Sequence, residues 1–289
     1  MTLPDAPHMT GPNAIGPAAS SFSRYAPAYD REHAANPIAR WTRRRNLALL
    51  EKTFPPCNRV LELGCGTGEE AIHLARRGLS VLATDAALGM ISVLETKLAP
   101  GGDAHDVAER IETRVLPASR AGTLQWEFAA AFDGAYSSFG PLNCEPDLER
   151  VLNGLAPLVK PGGRVVISLL TRYCLWETAW YLLHGDVRRA FRRWGGRARA
   201  TVRDRWQEVR VPIFYWSTHQ VRQMARRGFA VEKQMALPWL LPPQYLDGLV
   251  RRFPRLFKVL ACIDRTLASM WPFYALGDHY LIVLVRRPD

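Results

Sequence analysis

Val60-Leu61-Glu62-Leu63-Gly64-Cys65-Gly66-Thr67-Gly68 is the stretch on which the reading of this 289-residue chain turns. An apolar run of strand length, Val60 to Leu63, meets glycines at alternate positions. Glu69 to Arg77 follows with Ala71, Ile72, Leu74 and Ala75 at helical spacing, and Gly78 ends it. The order is strand, glycine turn, helix. Alternate glycines let the backbone turn tightly and approach a ligand, with the next helix N-terminus facing the same place. A dinucleotide loop would read G-x-G-x-x-G, but counting from Gly64 the third glycine is replaced by Glu69, whose charge would repel a pyrophosphate. A phosphate-cradling loop is excluded because no Gly-Lys-Ser/Thr follows.

The alternation continues outward from this stretch. Strands are expected at Ser80 to Thr84, Ile111 to Leu116, Phe132 to Ser137 and Arg164 to Leu170, with helices at Met90 to Leu98 and Leu148 to Leu158 between them. Lys160-Pro161-Gly162-Gly163 turns the chain into the strand at Arg164. A helix at Gln220 to Arg227 and strands at Phe229 to Met235 and His279 to Val285 resume the pattern late. Such alternation implies right-handed βαβ units and an α/β fold: a Rossmann-like, seven-stranded, mostly parallel sheet with helices on both faces and two helical lid insertions. The expected organisation is a disordered tail at 1–20, a cofactor-binding core at 21–170, a lid at 171–216, core again at 217–237, a second lid at 238–277 and a terminal strand at 278–289.

Composition narrows the class. At 48% hydrophobic and 22% charged the chain suits a globular protein with a real core. No run of about 18 uncharged apolar residues occurs, so no spanning helix is expected. The proline-rich N-terminus has no apolar signal region and is expected to be disordered. Five cysteines without a C-x-x-C pair fit reduced thiols in a cytoplasmic protein and argue against a structural zinc site. The net charge of +11 is uneven: residues 171–265 hold 19 Lys and Arg against 7 Asp and Glu, which is +12, leaving 19 against 20, or −1, elsewhere. Clustered charge of this kind speaks about partners.

With an acid before its glycines and another acid ending the next strand, the chain resembles the class I S-adenosylmethionine-dependent methyltransferases. Their first motif reads E/D-x-G-x-G-x-G, matched here by Glu62, Gly64, Gly66 and Gly68, and Asp85 matches their ribose-binding acid. The resemblance covers about Phe22 to Leu170 and the last two strands. It implies S-adenosyl-L-methionine as cofactor, with Cys65, Ala86 and Met90 beside these residues in the binding set. A cofactor with a cationic sulfonium and ammonium and no phosphates suits an acid-flanked loop. Ser137 and Ser138 lie where the family walls cofactor from acceptor. The acid that the family commonly has after strand three is missing from Pro117-Ala118-Ser119, so Ser119 or a backbone group must substitute. Tyr25-Ala26-Pro27-Ala28-Tyr29-Asp30 resembles a segment that closes over the cofactor, which assigns Tyr25 to it, although core packing explains Tyr25 and Tyr29 equally well. The aromatic-flanked Asn/Asp-Pro-Pro motif of nucleic-acid members is absent, which disfavours DNA and RNA.

The insertions carry the specificity in this reading. Trp176, Trp180, Leu183, Val187, Phe191 and Trp194 recur at helical spacing opposite Arg188, Arg189, Arg192 and Arg193, with Gly185-Asp186 as a break. Pro254 to Met270 repeats the theme with Arg255, Lys258 and Arg265. Packed lids with solvated basic faces are one explanation. Peripheral contact with an anionic membrane or lipid-like acceptor is the other. No general base is identifiable among His33, His184, His219 and His279. The expected function is methyl transfer to O, N or C of a small hydrophobic or anionic acceptor. A non-catalytic cofactor-binding regulatory or scaffolding module, and an NAD-dependent oxidoreductase against which Glu69 counts, are the alternatives.

Overall fold

The computed structural model describes residues 17–203 and 208–288. Its strands are β1 (Arg59–Leu63), β2 (Ser80–Asp85), β3 (Ile111–Val115), β4 (Phe132–Ser137), β5 (Val159–Leu170), β6 (Arg197–Arg203), β7 (Glu208–Phe214), β8 (Phe229–Ala236) and β9 (His279–Arg286). Its α-helices are α1 (Pro17–Ala35), α2 (Pro37–Thr53), α3 (Glu69–Arg76), α4 (Leu88–Leu98), α5 (Gln125–Phe128), α6 (Leu148–Leu155), α7 (Leu175–Leu183), α8 (Val187–Ala190), α9 (Thr218–Ala225), α10 (Asp247–Arg252) and α11 (Pro254–Leu267). No helix among the described residues is long and apolar enough to cross a membrane.

Seven strands make one sheet in the order β3-β2-β1-β4-β5-β9-β8. The first five are parallel, joined through helices on either face. The last two are antiparallel: β9 pairs Ile167 with Ile282 against β5, and β8 pairs Gln234 with Ile282 against β9. The central strands read as near-continuous apolar runs because both faces of the sheet are covered, by Leu61, Ala135, Ile167 and Leu152 on one side and Val60, Leu74, Tyr136 and Val166 on the other. Strand order reverses between β1 and β4, and in open parallel sheets the crevice at the carboxyl ends of such strands is where ligands bind. The Gly64–Gly68 loop and the Ser138–Gly140 turn both start there.

Two boundaries differ from the sequence expectation. Residues 1–16 of the expected tail lie outside the described residues, but residues 17–20 form the first turn of α1, where Ala19 is buried against Ala87 and Met90 of the α4 region. The first insertion is not wholly helical. After α7 and α8, which break at Gly185-Asp186, it closes with the hairpin β6–β7, whose Val211 and Ile213 are buried on Leu170 and Ala18. Arg and Ala alternate across β6, a strand period that the count of basic residues had obscured.

Buried carboxylates fix both insertions. Glu177 on α7 accepts Arg192 at 2.6 and 2.9 Å, Arg193 at 2.8 Å and the Tyr245 hydroxyl at 3.0 Å. Arg193 also reaches Asp278, just before β9, at 2.8 Å. The expected basic face therefore splits: Arg188 and Arg189 are exposed, whereas Arg193 is buried and Arg192 is held on Glu177. In the second insertion Asp264, fully buried, accepts Arg45 of α2 at 2.7 Å and the backbone N–H groups of Trp239 and Leu240 at 2.9 and 2.8 Å. Asp264→Ala would leave a mostly buried guanidinium and two N–H groups without their acceptor. It should lower stability by about 3–5 kcal/mol in urea unfolding, with Asp264→Asn less harmful because one acceptor remains.

Candidate functional site

The loop after β1 turns at residues that only glycine tolerates. Gly64 has φ +72, and a Cβ there would stand 2.3 Å from Pro141 Cβ in the turn after β4, so the two loops of the crevice touch through it. Gly66 has φ +54, yet a Cβ on it would meet nothing within 4 Å. The space above Gly66 is therefore open while its neighbours are packed. Gly68 ends the loop as the N-cap of α3.

Asp85 holds that geometry. One carboxylate oxygen accepts the Gly66 N–H at 2.9 Å and the other accepts the Ala87 N–H at 2.8 Å, just ahead of α4. Burial pushes its carboxyl up, and the two N–H bonds pull the other way. Glu62, on β1, is buried with Oε2 lacking a hydrogen-bond partner. Burial, reinforced by the nearby Glu70 charge, raises its carboxyl well above the usual range, against the Tyr136 hydroxyl beside it. Ser137 at the end of β4 is also buried with its hydroxyl unpartnered, while Ser138 accepts Asn46 Nδ2 of α2 at 2.8 Å. Unpaired buried polar atoms on the two strands that flank the strand-order reversal, with an open glycine in the loop between β1 and α3, fit a place for a ligand.

The N-terminal helix lies across this region. Asp30 accepts the Thr67 hydroxyl and pairs with Lys97 of α4 at 2.7 Å, while Lys97 also reaches Glu69 at 2.8 Å and the Thr67 carbonyl at 3.0 Å. Met90 is buried beneath α1 with Ala26, and Ala86 is half-buried beside it. Tyr25 does not join the group: its hydroxyl donates to Glu32 of the same helix at 2.5 Å. Tyr29 takes the inner position, its phenol raised to about 12 by burial and the neighbouring acids. Cys65 is buried in the loop, where burial raises its thiol well above the usual range.

Ser119 lies in the short 3-10 turn that follows β3. Its backbone N–H donates to Glu145 at 3.3 Å. A carboxylate thus reaches the region where the sequence after β3 offers none, but from the turn after β4, and no local pattern announces it. Cys144 beside it has its thiol pushed up to about 12 by burial, unsuited to nucleophilic attack.

A cavity of about 280 Å³ lies between α1, α2, the turn after β4 and the insertions. Tyr29, His33, Arg43, Phe139, Tyr245 and His279 line it. Arg43 pairs with Glu70 of α3 at 2.8 Å and lies 5.5 Å from the Phe139 ring centroid, linking the cavity wall to the helix that follows the loop. Phe139 has φ +62, a sparsely populated conformation for a non-glycine residue, set between Ser138 and Gly140. Sequence reasoning passed over Arg43 and Phe139: one sits in an arginine triplet of which only it faces the cavity, the other in a turn whose strain a sequence does not show. Of the four histidines, His33 and His279 line this cavity, His219 lines another with Trp216 and Tyr280, and His184 is exposed at the end of α7.

A family profile described as a methyltransferase domain matches residues 31–234. A malonyl-[acyl-carrier protein] O-methyltransferase of Serratia marcescens is 32% identical over 170 residues, 58% of this chain and 59% of the relative. A ubiquinone biosynthesis O-methyltransferase of Xanthomonas axonopodis pv. citri is 30% identical over 141 residues, 48% of this chain and 52% of the relative. The chain thus spans little more than half the length of these curated relatives. The crystal structure of a Methanosarcina mazei S-adenosylmethionine-dependent methyltransferase shares the fold at TM-score 0.53 and 17% identity, over 83% of this chain and 96% of that one.

The loop geometry has a direct consequence for Asp85→Ala. Because both Asp85 oxygens hold backbone N–H groups, the variant should lose about 2 kcal/mol of stability in addition to any loss of ligand affinity. Chemical denaturation measures the first and calorimetric titration the second. An unchanged unfolding midpoint would show that the loop holds itself.

Proposed function

The chain belongs to the class I S-adenosylmethionine-dependent methyltransferases, and from that premise we propose that it moves a methyl group from this cofactor to an O, N or C atom of a small acceptor. The observation that carries the reading is the open space at Gly66, whose N–H Asp85 accepts, with the buried Glu62 carboxyl near enough to feel the Asp85 charge and Ser137 ending the adjoining strand β4. These residues fit the group. Each Asp85 oxygen keeps a lone pair for a ribose hydroxyl after accepting its backbone N–H. Glu62 supplies a buried acid for a cationic ligand, and Ser137 a hydroxyl that donates or accepts. When bound, S-adenosylmethionine supplies a methyl group already activated on a sulfonium. The protein's share is then alignment and exclusion of water, which the cover of α1 over the loop supports.

The acceptor would enter the cavity between α1, α2 and the insertions, whose wall Arg43 joins to α3. The described arginines of its wall are answered by acids, Arg43 by Glu70 and Arg192 and Arg193 by Glu177 and Asp278, so the wall carries matched charge. A strongly anionic acceptor would have to displace one of these pairs. An aromatic or apolar acceptor with a polar end would lie on Tyr29 and Phe139 without doing so. Within the cavity His33 is the residue suited to take a proton. Its Nδ1 lies 2.9 Å from the Tyr29 carbonyl, which fixes the proton on Nδ1 and leaves the Nε2 lone pair for an acceptor hydroxyl.

Calorimetric titration with S-adenosylhomocysteine tests the reading at its base. No heat of binding to the folded protein would end it, and labelled methyl appearing on any fraction of a cell extract would carry it to turnover. The charge on Glu62 adds a sharper expectation. In the unliganded protein burial favours the protonated carboxyl, whereas a ligand ammonium beside it favours the carboxylate, so binding should expel a proton. Affinity should therefore rise with pH above the ordinary carboxylate range and level off once Glu62 is ionised without ligand. Titrations in buffers of different ionisation enthalpy read the released proton directly. Glu62→Gln should flatten the pH dependence, and persistence of the slope in that variant would assign the proton elsewhere.

A further inference from the structure

Helix α11 buries the wrong number of its apolar residues for a simple lid. Its inward side is Phe257, Leu260, Leu267 and the fully buried Asp264. Its outward side carries Leu256, Val259 and Ile263, 53%, 59% and 42% exposed, at i, i+3 and i+7. Phe253, just before the helix, is 49% exposed and Trp271, four residues beyond it, 78% exposed. Isolated exposed apolar side chains are ordinary on a protein surface. Three large ones in register along one helix, with two more exposed at its ends, are not, and mark a surface that meets something.

The charge on the same helix says what. The one acid of α11 is Asp264, which is turned inward and occupied by Arg45 and two backbone N–H groups. Arg255, Lys258 and Arg265 are exposed, and none has a carboxylate at ion-pairing distance among the described residues. Just before the helix, Asp247 is paired with Arg251 at 2.9 Å, and Arg252 lies over Phe253. The outward face therefore presents apolar side chains fringed by cations and no unpaired acid. It is a convex helix surface rather than a groove, which suits a planar partner better than a peptide. From this complementarity we infer that α11 docks in the plane of an anionic lipid surface, with Leu256, Val259, Ile263 and Trp271 entering the interface and the three cations meeting headgroups. The face lies on the second insertion and not on the run from Arg188 to Arg193, half of which is bound within the fold.

Docking by α11 would also set the cavity at the surface. Tyr245, which lines it, stands two residues before α10, and α10 runs directly into α11. A lipid-like acceptor could then pass from the interface to the cavity; this last step, unlike the docking itself, rests on the methyltransferase reading.

Sedimentation of the full chain with vesicles tests the inference, using phosphatidylcholine alone and phosphatidylcholine mixed with phosphatidylglycerol. Binding is expected to the mixed vesicles, weakening steeply with salt. Replacing Arg255, Lys258 and Arg265 together with Gln should reduce it roughly a hundredfold. Leu256→Gln with Ile263→Gln should weaken it while keeping its salt dependence. Tryptophan emission should shift to the blue on the mixed vesicles in the parent chain and less in Trp271→Phe. All these side chains are exposed, and S-adenosylhomocysteine titration of each variant reports that the fold persists. No binding to phosphatidylglycerol vesicles at low salt, or equal binding by the triple Gln variant, would overturn the inference and point to a protein partner instead. Failure here with intact cofactor binding leaves the methyltransferase reading standing, and loss of cofactor binding with intact vesicle binding does the reverse.

Discussion

A single carboxylate, that of Asp85, holds together the part of this structure on which the rest is arranged. It joins the Gly66 N–H to the Ala87 N–H across the ends of β1 and β2, so that the glycine loop and the approach to α4 are set by one side chain. The constraint spreads from there. With Gly66 pinned on one side, Gly64 is pressed against Pro141 on the other, and the turn after β4 must come close enough that a single methyl group would not fit between them. The crevice at the strand-order reversal thereby acquires a fixed floor and one open position. Burying an acid to do this is costly unless its oxygens are occupied, and backbone N–H groups occupy them without adding charge of their own.

The same device recurs where the insertions meet the core. Glu177 gathers Arg192, Arg193 and Tyr245, and Asp264 gathers Arg45 and two backbone N–H groups. Beside their buried apolar residues, both insertions are thus anchored by a few buried ion pairs and hydrogen bonds, and these specify one docking geometry because removing one partner would leave a charge buried and unpaired. The insertions' remaining apolar residues are then available elsewhere. That division explains how α7 and α11 can be firmly placed and still leave Leu183 and Val259 to solvent.

The core was legible because its signals are local. Each parallel strand buried on both faces is an apolar run, each helix has its own period, and the glycines mark the turn between them, so β1 to β5 fall within a few residues of where the sequence puts them. The antiparallel hairpin β6–β7 was missed because alternating Arg and Ala reads as charge before it reads as a strand. Turn Lys160-Pro161-Gly162-Gly163 is absorbed into β5 through an irregular pairing at Phe132 and Gly134, since tertiary register overrides the local preference. Around the loop, the structure gives Asp85 the Gly66 and Ala87 N–H groups and buries Glu62 and Ser137, while Tyr29, one helical turn beyond Tyr25 on α1, is the tyrosine that lines the neighbouring cavity.

The residues that the sequence could not supply lie almost entirely on the acceptor side, and chemistry gives the reason. A cofactor whose methyl group is already activated asks its binding loop for a fixed backbone and a few acids at set spacing, requirements that compress into a short motif. An acceptor asks only to be aligned and kept dry. Alignment can be assembled from any residues that the fold brings together: Arg43 from α2, Phe139 from a strained turn, Tyr245 from the second insertion and His279 from the last strand, spread over more than two hundred positions of chain. No spacing rule links them. What links them is the sheet order, which sets α2, the turn after β4 and the start of β9 around the same end of the crevice, so that half of the site becomes readable only once the topology is known.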